Sequence, residues 1–451
     1  MRADRPVVVI GAGSAGCVVT RRLVDAGHQV VLLEAGSLEP PESIASASFF
    51  DALATPGWTW EGLDAERVSG QEHRPYARGR GVGGSSAVNA MLSVIGEAED
   101  YDRWERDHGC DGWSWNDVAP IFAALPIPMR SVGSGRLASA VDRAWSRTGA
   151  TGSLEAARLT QFADGRRASA FDVYVAPIRD RVDLRGDSSV DRVLVDGGRV
   201  AGVRLAQGAE IETSLVVMAA GAVHSPMILQ RSTIDNPFIG QGLQDHASAP
   251  FTIAWRDPSD PSIEAVTGFV RTSSGVGVND LQILPIEHLG RDASGFATLN
   301  AALMNVWSRG SIVDGAVRFG MLSDDRDVTA LVAGVRLAHR VVTSPEIASL
   351  AAGVFVDDVG TPVDTLDVDD DAAIVDWLMS RTGDYVHAVG TCAMGRRGES
   401  VVDPFGRSWD IAGLWVADAS VMPRVPRANT HVPTVMVAEK ISTTLVASLV
   451  D

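Results

Sequence analysis

Pro6-Val-Val-Val-Ile-Gly-Ala-Gly-Ser-Ala-Gly16 decides the fold. A β-branched run leads straight into a turn with glycine at 11, 13 and 16. A helical pattern follows, with Val18, Leu23 and Val24 apolar and Arg21, Arg22 and Asp25 polar. Gly27 stops it, and residues 28–33 form a second apolar run that ends at Glu34. Strand, glycine turn, helix, strand is a βαβ unit. In such a turn Gly11 permits the tight bend, Gly13 lets backbone approach a pyrophosphate, and Gly16 allows close helix–strand packing. Ser14 lies in the same turn, at a helix N-terminus whose free amides favour phosphate. Glu34 stands where a carboxylate meets ribose hydroxyls. The pattern predicts a bound dinucleotide and leaves NAD and FAD both open.

Further along, Gly79-Arg-Gly-Val-Gly-Gly-Ser-Ser-Ala-Val-Asn89 is a second glycine-rich segment, with backbone suited to meeting a flat ligand closely. Residues 190–205 read as a hairpin around Asp196-Gly197-Gly198. Residues 215–220 read as a buried strand before a helix that starts near Gly221. The alternating pattern over 249–320 predicts mostly strand, and 328–342 a helix. Residues 414–417 read as another buried strand, followed by a terminal helix. The stretch 141–167, rich in Ser, Gly, Arg and Ala, reads as a connector or flap.

The 451 residues are enough for a large core and two structural regions, and 45% hydrophobic with 21% charged residues is a globular balance. The net charge of -18 argues against nucleic acid, because so acidic a surface repels phosphate backbones. The three cysteines, Cys17, Cys110 and Cys392, are far apart and lack metal-type spacing, which fits a reduced, cytoplasmic protein with no metal. No long uncharged apolar run suggests a transmembrane span, since the last apolar segment is broken by Glu439 and Lys440.

The C-terminal part carries four dense motifs: His387-Ala-Val-Gly-Thr-Cys-Ala-Met-Gly395, Val402-Asp-Pro404, Gly413-Leu-Trp-Val-Ala-Asp-Ala-Ser-Val-Met-Pro423 and Ala428-Asn-Thr-His-Val-Pro433. With these in view the chain resembles the glucose–methanol–choline (GMC) oxidoreductases from end to end. The resemblance also rests on Gly83-Gly-Ser-Ser-Ala-Val-Asn89, Tyr101-Asp-Arg-Trp104 with Gly112-Trp-Ser-Trp115, Gly221-Ala-Val-His-Ser-Pro226, Gly242-Leu-Gln-Asp-His246 and Ser308-Arg-Gly310.

The resemblance implies an α/β chain (α+β overall) with a Rossmann-like FAD-binding domain and a substrate domain built on an antiparallel sheet. The expected FAD-binding segments are 1–140, 168–248 and 385–451, with 249–384 as the substrate domain. It implies that His387 is the catalytic base and Asn429, six residues after Pro423, its partner. A histidine accepts an alcohol proton near neutral pH, and an amide orients the substrate oxygen. Gly11, Gly13, Gly16 and Glu34 are expected on the ADP half, and Val190 at the adenine. Gly84, Ser85 and Asn89 are expected along the flavin, Asp418 and Ala419 at the pyrophosphate or ribityl chain, and Val432 and Pro433 at the pyrimidine edge. Val88 stands where covalently flavinylated members carry histidine, so FAD is expected to be non-covalent. His431, where many members have asparagine, is a second candidate beside Asn429.

The expected function is hydride transfer from an alcohol CH–OH group to FAD, with electrons passing on to an unidentified acceptor. Length and an Arg-rich composition also resemble members associated with the redox peptide cofactor mycofactocin, which adds that reduced cofactor as a candidate donor. Two other functions fit parts of the sequence. A non-redox, lyase-type member of the family would share the motifs. An NAD-dependent dehydrogenase needs only the N-terminal turn and leaves the His387 and Asn429 motifs without a purpose.

Overall fold

The computed structural model describes residues 5–46 and 48–450. Residues 1–4, 47 and 451 of the expected FAD-binding segments lie outside them. The first strand, β1 (Val7–Ile10), has all four side chains buried, as its unbroken apolar run requires of a strand covered on both faces. It leads through the glycine turn into α1 (Ser14–Asp25) and then β2 (Val30–Leu33), which pairs parallel to β1 in the register Val7↔Val30 to Ile10↔Leu33. On the other side of β1 lies Val216–Met218, then Leu414–Val416, and beyond β2 lies Asp183–Arg185. This five-stranded sheet is parallel throughout. Its strands come from the beginning, middle and end of the chain.

Glycine is obligatory at two points of the turn. Gly11 has φ +100°, and a Cβ there would lie 2.6 Å from the Ala219 carbonyl oxygen. A Cβ on Gly16 would lie 1.8 Å from the Gly11 carbonyl oxygen, so α1 could not pack so closely on β1 with any side chain there.

The second layer is a six-stranded sheet in the order Ala351–Phe355, Ser248–Trp255, Phe296–Leu303, Leu281–Ile286, Gly268–Thr272, Leu154–Ala156. All its pairings are antiparallel, and the helix Asp325–Val342 packs on Phe296–Leu303. The stretch 141–167, read from the sequence as a connector or flap, contains the end of helix Arg136–Trp145 and the edge strand Leu154–Ala156. Its pairing with Gly268–Val270 depends on a register over a hundred residues away, which local composition does not encode. The hairpin over 190–205 forms as Val190–Asp196 and Arg199–Leu205.

The terminal helix His431–Val450 packs along α1. Among the described residues it is the one helix long and apolar enough to cross a bilayer by length and composition, yet 61% of that stretch is buried inside the protein. It is a core helix by packing.

Candidate active site

A cavity of about 660 Å³ runs between the two layers. At one side are the carboxyl ends of the parallel strands, with Ile10, Leu33, Ala219 and Asp418 in its wall. At the other are Ser248, Leu284, Thr298 and Asn300 of the antiparallel sheet. Ligands of open α/β sheets bind in this position, and the volume is in the range of cofactor pockets.

Most residues singled out from the sequence meet here. Gly11, Gly13, Ser14 and Glu34 line one end with Val190. Gly84, Ser85 and Asn89 lie along the cavity, as do Asp418 and Ala419, and His387, Asn429 and His431 border it too. Three of the candidates are outside the lining. Gly16 lies beneath Gly11, while Val432 and Pro433 are buried in the first turn of the terminal helix.

The residues fit FAD. Gly13 caps α1 and brings no side chain to its first turn, so among the described residues no N-cap side chain occupies those amides. Gly13 and Gly84 approach so closely that a Cβ on Gly84 would lie 2.7 Å from the Gly13 Cα, which brings the two glycine loops together as one backbone surface. Glu34 is buried and accepts from the amides of Ala12, Gly36 and Gly81, each at 2.9 Å. It therefore ties the two loops together at the end of the cavity, and burial raises its pKa despite those bonds. Asp418 accepts from the Gly221 and Ser420 amides and the Ser225 hydroxyl at 2.6–2.8 Å. Asn89 Oδ1 is held by Arg167 Nη1 at 2.7 Å and the Met91 amide at 3.0 Å, which leaves its Nδ2 to serve as a donor.

His387 is 8% exposed. Its position depends on a strained approach, because Val386 before it has φ +56°, a rare conformation for a β-branched residue. Three contacts hold that segment. Arg67 pairs with Asp384 at 2.6 Å, Arg78 donates to the Val386 carbonyl, and the His387 amide donates to Asp245 Oδ2 at 2.9 Å. Asp245 also accepts from the His246 amide at 2.7 Å and the Tyr76 hydroxyl at 2.7 Å.

A chain of hydrogen bonds sets the tautomer of His387. His246 Nε2 faces the Pro426 carbonyl at 3.1 Å, and a carbonyl can only accept, so that nitrogen carries the proton. In neutral His246, Nδ1 then accepts, and it lies 2.9 Å from His387 Nδ1, which donates. His387 Nε2 is left as a lone pair, 3.3 Å from Asn429 Nδ2. Burial, then the His246 ring and the Arg78 guanidinium, hold His387 well below the ordinary histidine range. Burial also lowers His246 to about 4. Both rings are therefore neutral at pH 7, and His387 is in the form that can take a proton. Burial, then Asp384, push Asp245 up to about 7.

Asn429 Oδ1 is buried and has no hydrogen-bond partner among the described residues, so a ligand donor can meet it. His431 is turned towards the glycine turn instead, with Nδ1 3.0 Å from the Ser14 hydroxyl. Asp245, His246 and His387 bring ligand-type atoms within 4.8 Å of one another, as a metal site would, but the hydrogen bonds above already engage all three. The motif Gly242-Leu-Gln-Asp-His246 by itself assigns Asp245 and His246 no role, and no motif marks Tyr76. The motif was the only available signal, since these contacts join residues about 140 or more positions apart.

Sequence models of the GMC oxidoreductases match residues 6–248 and 308–438. A 5-(hydroxymethyl)furfural oxidase of Methylovorus sp. (strain MP688) is 32% identical over 96% of this chain and 97% of its own length. An oxygen-dependent choline dehydrogenase of Xanthomonas axonopodis pv. citri (strain 306) is 28% identical over 98% and 95%. Among solved structures, pyridoxine 4-oxidase from Mesorbium loti superposes with a TM-score of 0.87 at 24% identity, covering 98% of this chain and 99% of that one, a likeness of fold.

Proposed function

This chain belongs to the glucose–methanol–choline (GMC) oxidoreductase family, and from that premise we propose that His387 takes the hydroxyl proton of an alcohol held against it by Asn429. At the coarser level the chain is an FAD-dependent oxidoreductase acting on alcohols. The observation that carries the finer reading is the unprotonated Nε2 of His387 facing the Asn429 carboxamide at 3.3 Å across the cavity wall.

An alcohol oxygen between these groups gives its proton to Nε2 and accepts from Asn429 Nδ2. Alkoxide character then weakens the carbinol C–H bond, and fixed donors stabilise the developing charge without reorganising. Bound FAD supplies the two-electron hydride acceptor. The α1 amides, Gly13 and Glu34 would hold its ADP half, Asp418 and Ala419 the middle, and Gly84, Ser85 and Asn89 the flavin. Val88, which has no nucleophile, supports non-covalent attachment.

The test is an anaerobic reductive half-reaction with FAD-loaded protein and a panel of alcohols that includes reduced mycofactocin. With the donor that bleaches the flavin, His387→Ala should slow bleaching by roughly 10²–10⁴-fold and keep its FAD. Bleaching by His387→Ala at the parent rate would overturn the assignment.

A further inference from the structure

Two helices meet by their first residues at the glycine turn. Ser14 opens α1, His431 opens the terminal helix packed along it, and both residues line the cavity. The Ser14 hydroxyl and His431 Nδ1 lie 3.0 Å apart, and that hydroxyl has no other hydrogen-bond partner among the described residues. Either atom can donate across this contact, and the direction decides what Ser14 offers a ligand.

A buried cation beside the ring selects the direction. Arg167 is 2% exposed and has no ion pair among the described residues. Its guanidinium donates to the carbonyls of Ile44, Ser86 and Asn89 and to Asn89 Oδ1, at 2.6–3.4 Å, all neutral groups. The acid whose charge acts on it, Asp172, is taken up by the Ser169 amide at 3.0 Å and hydroxyl at 2.6 Å. Burial pulls Arg167 down to about 9, so it is still charged at pH 7. Its Nη2 is buried without a partner among the described residues, and so is Nε2 of His431.

Burial, then Arg167, hold His431 down to about 4, so the ring is neutral at pH 7 and one nitrogen carries its proton. In the field of a cation a lone pair on Nε2 is attracted, and a proton there is repelled. The proton therefore sits on Nδ1 and is donated to the Ser14 oxygen. The proton of the Ser14 hydroxyl then has no acceptor among the described residues. It is free to point into the cavity, beside the first-turn amides of α1.

We propose that His431 and Arg167 are positioning residues that turn the Ser14 hydroxyl proton into the cavity, where it binds a pyrophosphate oxygen of FAD. The inference rests on the reading that the glycine turn holds the ADP half of the cofactor. A phosphate oxygen only accepts, so a Ser14 that gave its proton to His431 would face it with a lone pair.

The experiment is titration of the apoprotein with FAD, followed by flavin fluorescence, and with ADP, followed by its displacement of FAD. Melting curves check that each variant is folded. His431→Leu should raise the Kd of FAD and of ADP alike by roughly three- to tenfold, part of the worth of a hydrogen bond to a charged group. His431→Asn keeps an N–H near the Nδ1 position and should stay within about twofold of the parent. Ser14→Ala should weaken both ligands at least as much as His431→Leu. Adding His431→Leu to it should cost less than about twofold more, because the ring acts through that hydroxyl. Fully additive losses, an Asn variant as weak as the Leu variant, or weakened FAD with unchanged ADP would each overturn the inference and leave the cofactor reading standing. A parent apoprotein that takes up neither FAD nor ADP would sink the cofactor reading and the inference with it.

Discussion

His387 can accept a proton only because another residue holds the proton on its far nitrogen. His246 does so by presenting an Nδ1 lone pair, and the Pro426 carbonyl in turn fixes His246. On the role proposed for His387, His246 is a positioning residue. His246→Leu should cut the rate of flavin reduction by roughly tenfold to a hundredfold, part of what general-base catalysis contributes, with FAD still bound. Because the loss comes from a wrong tautomer, it should appear in kcat more than in KM. Steady-state kinetics beside the flavin absorbance would check this, and an unchanged kcat would remove the role. Asp245 makes a separate prediction. Its three bonds all donate into it, so the carboxylate is the form that holds the His387 backbone. The carboxyl is raised to about 7, so it gains a proton as pH falls through that value. His387, held well below 6.5, stays neutral over the same range. The reduction rate should therefore fall from pH 8 to pH 6, and Asp245→Asn should flatten that profile. A parent rate that is flat down to pH 5 would contradict this.

At the scale of elements, the glycine turn separates packing from ligand binding. A methyl at Gly16 meets the Gly11 carbonyl at 1.8 Å, whereas one at Gly13 meets nothing nearer than the Gly84 Cα at 3.8 Å, an ordinary contact. Gly16→Ala should therefore lower the stability of the apoprotein by about 1–3 kcal/mol, as overpacking does. Gly13→Ala should leave the apoprotein within about 0.5 kcal/mol of the parent while reducing the FAD it retains, since its methyl enters the cofactor's approach. Melting curves of the apoproteins and the ratio of flavin to protein absorbance distinguish the two. This element was legible in the sequence almost completely, because glycine spacing, β-branched runs and the closing Glu34 are local signals. The role of Glu34 was less so. It occupies the expected strand end, but in the fold its oxygens already accept from one amide in each glycine loop, Ala12 and Gly81, and from Gly36 in its own turn.

Over the whole molecule, the cavity is a seam between layers, lined by segments that run from Ile10 to Thr434. A ligand filling it touches both sheets and should bind the folded chain alone. Removing FAD should therefore lower the melting temperature, and adding it back should raise the temperature in a concentration-dependent way. At free FAD one hundred times its Kd the gain is about 2.7 kcal/mol. A melting temperature indifferent to FAD would mean that the seam is held closed by protein contacts alone.

Local pattern in the amino-acid sequence determined the βαβ unit and the glycine loops, since turn chemistry and period act over a few residues, whereas His387 and Asn429 stood out only through the family resemblance of their motifs. Tertiary structure alone decided that Leu154–Ala156 joins the substrate-side sheet and that His431 turns to Ser14 and away from His387. It also brought Tyr76, Asp245 and His246 behind the His387 ring and set Arg78 on the Val386 carbonyl at the cavity wall. Each of these depends on which distant side chains packing brings within about 3 Å. No single segment encodes that, because burial and hydrogen bonding select those partners only once both layers have closed on each other.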